Sequence, residues 1–189
     1  PDDFDRVIYG VDWGFSPPSV ALAIALRGDQ PVVLDEVYES RLTDDDLARE
    51  VTALQERYGE GVVYCDPAEP GSIETFRREG LDAIDADNDV TPGIKTVTQH
   101  DHDLRVHARC QNVINEFGMY QYRDGGDSDR VRKQNDHAMD ALRYALHTAD
   151  VDGGVPTARA SFGGDERADA SADSSDETIG DILPDPTEL

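Results

Sequence analysis

The chain has 189 residues, which is enough for one folded domain or for one domain with a tail. It contains 41 acidic and 17 basic residues, for a net charge of -24. No apolar run is long enough to span a bilayer and no signal peptide is recognisable, so we expect no membrane association. The two cysteines form no disulfide framework, which predicts a reducing compartment.

The acidic excess is accompanied by a near absence of lysine. Only Lys95 and Lys133 occur, Asp outnumbers Glu, and the excess is not confined to the C-terminal part of the chain. This profile is typical of proteins from a high-salt cytoplasm, and we expect a halophilic source. An ordinary acidic protein with an acidic tail is the alternative, because net charge bears on solubility and association rather than on fold. Pro1 in first position predicts a piece of a longer protein.

The first forty residues predict three consecutive strands. The runs 6–12, 19–27 and 30–40 are rich in aliphatic and β-branched residues. Pro17-Pro18 and Gly28-Asp29 mark the turns between them. Short turns between successive strands favour an antiparallel meander.

Helices and short strands alternate in the middle of the chain. Thr43 is a good N-cap, and three acids and a helical apolar period follow it. A short strand over 62–65, a helix from Ser72 to Gly80 and a short strand over 81–86 come next. Strands that follow helices favour parallel pairing through right-handed crossovers.

The last part of the predicted domain is less regular. We expect a short helix, a sixth edge strand, one or two helical turns, a glycine-containing loop and a long final helix, over residues 91–98, 104–108, 110–117, 120–129 and 135–149. From residue 150 the composition shifts to Gly, Ser and acids with few aromatics, which is typical of disorder. We therefore predict a folded domain over residues 1–149 and an acidic, disordered tail over residues 150–189.

Three aspartates lie at positions where packing alone gives no reason for a carboxylate. Asp12 ends the first strand, Asp66 ends the strand after the first long helix, and Asp140 lies on the final helix. The carboxyl ends of parallel neighbours share one edge of a sheet, where open α/β sheets place their sites. Asp136 and His137 precede Asp140 within one helical turn. Any one of these acids alone is more often a surface residue or a helix cap, so the prediction rests on their combination.

Carboxylates held close together repel each other unless cations lie between them. Ligation by oxygen atoms alone favours Mg²⁺ or Mn²⁺ rather than zinc. Two such ions about 3.5–4 Å apart can support an in-line phosphoryl displacement. The three acids therefore predict a site for divalent metal ions.

Three motifs carry a family resemblance. Residues 9–14 (YGVDWG), 64–70 (YCDPAEP) and 135–145 (NDHAMDALRYA) resemble the nuclease domain of the large terminase subunit of tailed viruses. With the acidic composition, the resemblance suggests a haloarchaeal virus or provirus. It implies an RNase H-like α/β fold, whose mixed central sheet combines the antiparallel meander with parallel strands and is flanked by helices.

The resemblance also implies site residues and a reaction. Asp12, Asp66 and Asp140 would be the catalytic metal ligands for two Mg²⁺ or Mn²⁺ ions, and His137 and Asp136 are further candidates. The implied activity is an endonuclease that cuts double-stranded concatemeric viral DNA during packaging, with little sequence preference. A junction resolvase of the same fold and a non-catalytic docking module of a packaging motor remain alternatives.

The remaining expectations concern partners. Candidate DNA contacts cluster in and after the predicted glycine-containing loop, at Arg123, Arg130, Arg132 and Lys133. The family's full-length subunit carries an N-terminal packaging ATPase, but no G-x-x-x-x-G-K-[ST] loop occurs here, so we expect that motor to be absent from this chain. The resemblance implies the portal protein and the small terminase subunit as partners. It also implies action at the procapsid in the host cytoplasm, here a high-salt one.

Overall fold

The computed structural model of the chain describes residues 4–28, 30–100, 102–121 and 136–151. Its strands are β1 (Arg6–Asp12), β2 (Pro18–Arg27), β3 (Gln30–Ser40), β4 (Val63–Cys65), β5 (Ala83–Asp85) and β6 (Arg105–Val106). Its helices are α1 (Asp44–Tyr58), α2 (Pro70–Arg78), α3 (Val90–Gln99), α4 (Gln111–Gln121) and α5 (His137–Val151).

The strands form one mixed sheet in the order β5-β4-β1-β2-β3-β6. The β1–β2 and β2–β3 pairs are antiparallel, whereas β4 pairs parallel with β1 and β5, and β6 pairs parallel with β3. The predicted meander, the parallel strands and the sixth edge strand are thus confirmed. The carboxyl ends of β1, β4 and β5 consequently lie along one edge of the sheet.

Both faces of the sheet are covered, because neighbouring residues of a strand point to opposite faces. Tyr9 and Val11 belong to one buried cluster with the apolar residues of α1 and α2. Ile8 belongs to the other, with residues of α3, α4 and α5. Strands buried on both sides explain why the apolar runs in the sequence are nearly continuous.

The first long helix begins where its sequence predicts. The side chain of Thr43 accepts a hydrogen bond from the backbone of Asp46, whose own side chain bonds the Thr43 backbone in return. The helix ends at Gly59, where φ is 107°, a value that favours glycine. This end of α1 leads directly into β4.

Several element boundaries differ from the predicted ones by a few residues. Strand β2 already begins at Pro18, which pairs with Ser40, because a proline is tolerated at the first residue of a strand. Helix α2 begins at Pro70, which takes the first turn, where a missing N–H costs nothing. Helix α4 continues to Gln121, further than the predicted one or two turns.

The predicted tail falls almost wholly outside the described residues. Helix α5 extends through Val151, and residues 152–189 are not described. Within the described ranges, no helix combines the length and apolar character that crossing a membrane requires. Cys65 and Cys110 are both buried and unbridged, and burial raises the pKa of the Cys110 thiol to about 12.

Candidate active site

Two of the three predicted aspartates lie at neighbouring strand ends. Asp12 is the last residue of β1, and Asp66 directly follows β4. The backbone N–H of Asp66 donates to the carbonyl oxygen of Val11 at 3.3 Å, which continues the parallel ladder by one residue. Because adjacent strands are about 4.8 Å apart, the two carboxyl groups share one sheet edge.

Helix α5 brings the third aspartate to this edge. The helix packs directly against β1, and a Cβ atom at Gly10 would overlap the carbonyl oxygen of Ala141. A glycine in mid-strand therefore permits close approach of the helix backbone. Asp140 precedes Ala141 and lies beside the end of β1. His137, one turn earlier, places its Nδ1 2.8 Å from Oδ2 of Asp12.

The pKa of Asp12 reflects its burial and the charged groups around it. Its side chain is 6% exposed, and burial is the main reason why its pKa is raised. The hydrogen bond from His137 opposes this rise in pKa, whereas the nearby charges of Asp140 and Asp66 add to it. In turn, the bond to Asp12 raises the pKa of the His137 imidazole.

Each of the three carboxylates has one oxygen bound by the protein. Oδ2 of Asp12 faces His137. Oδ1 of Asp66 accepts a hydrogen bond from the backbone N–H of Ala68 at 3.0 Å. Oδ1 of Asp140 accepts one from the guanidinium of Arg143 at 2.9 Å. The second oxygen of each accepts no hydrogen bond from the described residues. This pattern orients a carboxylate while leaving a lone-pair oxygen for another ligand.

The donor set fits a hard divalent cation in its chemistry, since it consists of carboxylate oxygens. Within the described ranges, no group of three or more His, Cys, Asp or Glu side chains is gathered tightly enough to hold a metal ion by itself. Like charges on neighbouring carboxylates repel one another when no cation lies between them. The convergence of Asp12, Asp66 and Asp140 on ions therefore remains a prediction.

The other predicted site residues have different outcomes. His137 lies at the site but uses Nδ1 to contact Asp12. Asp136 lies just before α5, and its carbonyl oxygen accepts from the N–H of Asp140 at 2.7 Å. The four candidate DNA contacts lie outside the described residues, namely Arg123, Arg130, Arg132 and Lys133.

A buried glutamate that the sequence did not single out supports the start of α5. Glu116 on α4 is 5% exposed. Its Oε2 accepts from the N–H groups of Ala138 and Met139 at 2.8 and 3.1 Å, and its Oε1 accepts from the hydroxyl of Tyr38 at 2.8 Å. The first N–H groups of a helix lack partners within it, and an anion there also suits the helix dipole. Glu116 thus fixes the turn that carries His137.

Glu116→Ala is expected to lower the free energy of unfolding by about 2 kcal/mol, because it leaves buried N–H groups without an acceptor. Chemical denaturation of the full chain measures this change. Asn115→Ala removes an exposed side chain from the same helix and serves as the matched control. Equal stability of the Glu116 and Asn115 variants would show that α5 does not depend on this contact.

The sequence also matches known proteins. It matches the family described as Terminase RNaseH-like domain over residues 9–149. It is 24% identical over 164 residues to the large terminase subunit of Bacillus phage SPP1, covering 80% of this chain and 38% of that protein. It is 25% identical over 150 residues to the PBSX phage terminase large subunit of Bacillus subtilis strain 168, covering 75% and 34%. The chain thus spans little more than a third of the length of these relatives.

A solved structure shares the fold. The nuclease domain of the large terminase from bacteriophage SPP1, determined with bound Mn, has a TM-score of 0.61 to this chain at 19% identity. The similarity covers 79% of this chain and 88% of that domain, so the predicted RNase H-like fold is confirmed. Because the family match extends from β1 to α5, the chain belongs to the family of terminase RNase H-like domains.

Proposed function

We propose that this domain is a metal-dependent endonuclease that cuts double-stranded concatemeric viral DNA during genome packaging, with low sequence specificity. The observation that supports the proposal is that Asp12 and Asp66 lie at neighbouring strand ends, with Asp140 on the helix that packs against β1. Each of these residues has a carboxylate oxygen that accepts no hydrogen bond from the described residues. The SPP1 nuclease domain with bound Mn supports a divalent ion.

The proposed reaction is two-metal-ion hydrolysis of a phosphodiester. Two Mg²⁺ or Mn²⁺ ions, when bound, would activate water and stabilise the leaving oxygen. Asp12 would hold both ions, and Asp66 and Asp140 would each hold one. His137 orients Asp12 by engaging its Oδ2, which leaves Oδ1 for the ions.

The wider setting is part of the proposal. By analogy with the large terminase subunits that the chain resembles, a packaging ATPase domain, the portal protein and the small terminase subunit would be its partners at the procapsid in the host cytoplasm. A net charge of -24 repels DNA in dilute buffer, but at about 1 M salt the Debye length falls to near 3 Å. We therefore propose that the enzyme works in a high-salt cytoplasm, where only close contacts matter.

Incubating supercoiled plasmid with the purified chain, Mn²⁺ or Mg²⁺ and high salt tests the function. We expect nicked and linear DNA that disappears when a chelator removes the metal, with little dependence on DNA sequence. Unchanged plasmid under every metal and salt condition would contradict the proposal and favour a docking module. A strong preference for four-way junctions over linear duplex would favour a resolvase instead.

A further inference from the structure

Arg143 is an unusual cation in this chain because it is buried. It lies on α5, three residues after Asp140, and is only 5% exposed. Burying a guanidinium is costly unless it is paired and hydrogen-bonded. Its burial also excludes a direct role in binding the DNA backbone. The position therefore requires an explanation within the protein.

The guanidinium is held from three directions. Its Nη2 donates to Oδ1 of Asp140 at 2.9 Å, and its Nε lies 3.3 Å from the same oxygen. Its Nη1 donates to the carbonyl oxygen of Asn88, after β5, at 3.1 Å. Its Cζ also lies over the ring of Tyr144, 4.5 Å from the ring centroid. Few orientations of Arg143 satisfy all of these contacts.

A glycine makes room for the aliphatic part of this side chain. A Cβ atom at Gly93 on α3 would lie 2.6 Å from Cγ and 2.7 Å from Cδ of Arg143. The absence of a side chain at Gly93 thus lets helix α3 pack directly against the side chain of Arg143. Through its bond to Asn88, the arginine links Asp140 to the segment that follows β5. Strand β5 neighbours β4, the strand that Asp66 follows.

Both arginine contacts fall on the same carboxylate oxygen. They fix the plane of the Asp140 carboxyl group, while Oδ2 accepts no hydrogen bond from the described residues. A metal ion could bind Oδ2 without displacing the arginine. Partners of this kind are known to orient metal ligands, and their loss typically costs 10–100-fold in metal affinity or activity.

We propose that Arg143 is a positioning residue that sets the orientation of Asp140 for metal binding; the proposal rests on the proposed metal site. Lysine at this position keeps the charge but lacks the planar fork that bonds one carboxylate and one carbonyl at once. Gly93→Ala keeps the arginine itself and crowds its side chain. Both variants leave the net charge unchanged, so that a change in cation affinity reports geometry.

The test is Mn²⁺ titration of the full chain, with free Mn²⁺ followed by electron paramagnetic resonance. We expect Arg143→Lys and Gly93→Ala to raise the Kd for Mn²⁺ about 10–100-fold. Arg49→Lys is the matched control, since Arg49 forms an exposed pair with Asp46 at the same three-residue spacing. The control should bind Mn²⁺ as the wild type does.

The outcomes separate the inference from the proposed function. A folded Arg143→Lys variant with wild-type Mn²⁺ affinity, whatever its Tm, would reduce Arg143 to a structural ion pair and overturn the inference alone. If this variant does not fold, wild-type affinity in Gly93→Ala overturns it in the same way. A wild-type chain that binds no Mn²⁺ would overturn both the inference and the metal site.

Discussion

Asp12→Asn and Asp140→Asn are each expected to lower the rate of metal-dependent DNA cleavage by about 10³-fold or more. Each change removes a charged ligand from the proposed ions. Metal ions contribute several kcal/mol of transition-state stabilisation, and about 4 kcal/mol corresponds to a factor of 10³ in rate. Single-turnover cleavage of linear duplex at saturating Mn²⁺ measures the effect.

The same variants should show that the loss is chemical rather than structural. Because burial raises the pKa of Asp12, ionising this carboxyl group is less favourable in the folded chain than in the unfolded chain. Asp12→Asn is therefore expected to keep or raise the Tm while activity is lost, as in other sites where stability is sacrificed for function. Asp82→Asn changes an exposed acid before β5 and should retain full activity. Cleavage at the wild-type rate by either site variant would refute the assignment.

Gly10→Ala is expected to destabilise the domain by about 3 kcal/mol, at the upper end of the cost of overpacking a core. The new methyl group would overlap the carbonyl oxygen of Ala141 and force α5 away from β1. This movement would also separate Asp140 from Asp12, so cleavage should fall in the folded fraction as well. Urea denaturation together with the cleavage assay measures both effects.

Gly71→Ala is the matched control for Gly10→Ala. A Cβ atom at Gly71 would meet no atom within 4 Å, and Ala is a better helix former than Gly. This variant should therefore be as stable as the wild type or more so. If Gly10→Ala were equally well tolerated, the close packing of α5 on β1 would not be what holds the site together.

Local sequence was sufficient to predict one half of the site. Asp12 and Asp66 each end an apolar run, and a strand after a helix favours parallel pairing. These two facts place both acids at one sheet edge, as the β1–β4 register shows. The meander and the helix that begins after Thr43 follow from equally local signals.

The other half depends on contacts between distant parts of the chain. From local sequence alone, Gly10 would only be expected to weaken its strand. The structure shows that the glycine is needed because the backbone of α5 packs directly against it. Glu116 accepts a hydrogen bond from the first turn of α5, although residues 122–135, which separate the two in sequence, are outside the described residues. Arg143 lies in residues 135–145, one of the three segments that carry the resemblance, yet its bond to Asn88 could not be inferred from spacing along a helix. Hydrophobic periodicity predicts which face of a helix is buried, but not which element packs against that face.

A crystal of the chain soaked in Mn²⁺ tests the central claim most directly. The anomalous difference map should show two peaks about 3.5–4 Å apart, within coordination distance of Asp12, Asp66 and Asp140. One carboxylate oxygen of each residue should keep its present protein partner. Peaks only at other acidic residues, or no peak at this sheet edge at saturating Mn²⁺, would contradict a metal-dependent nuclease site.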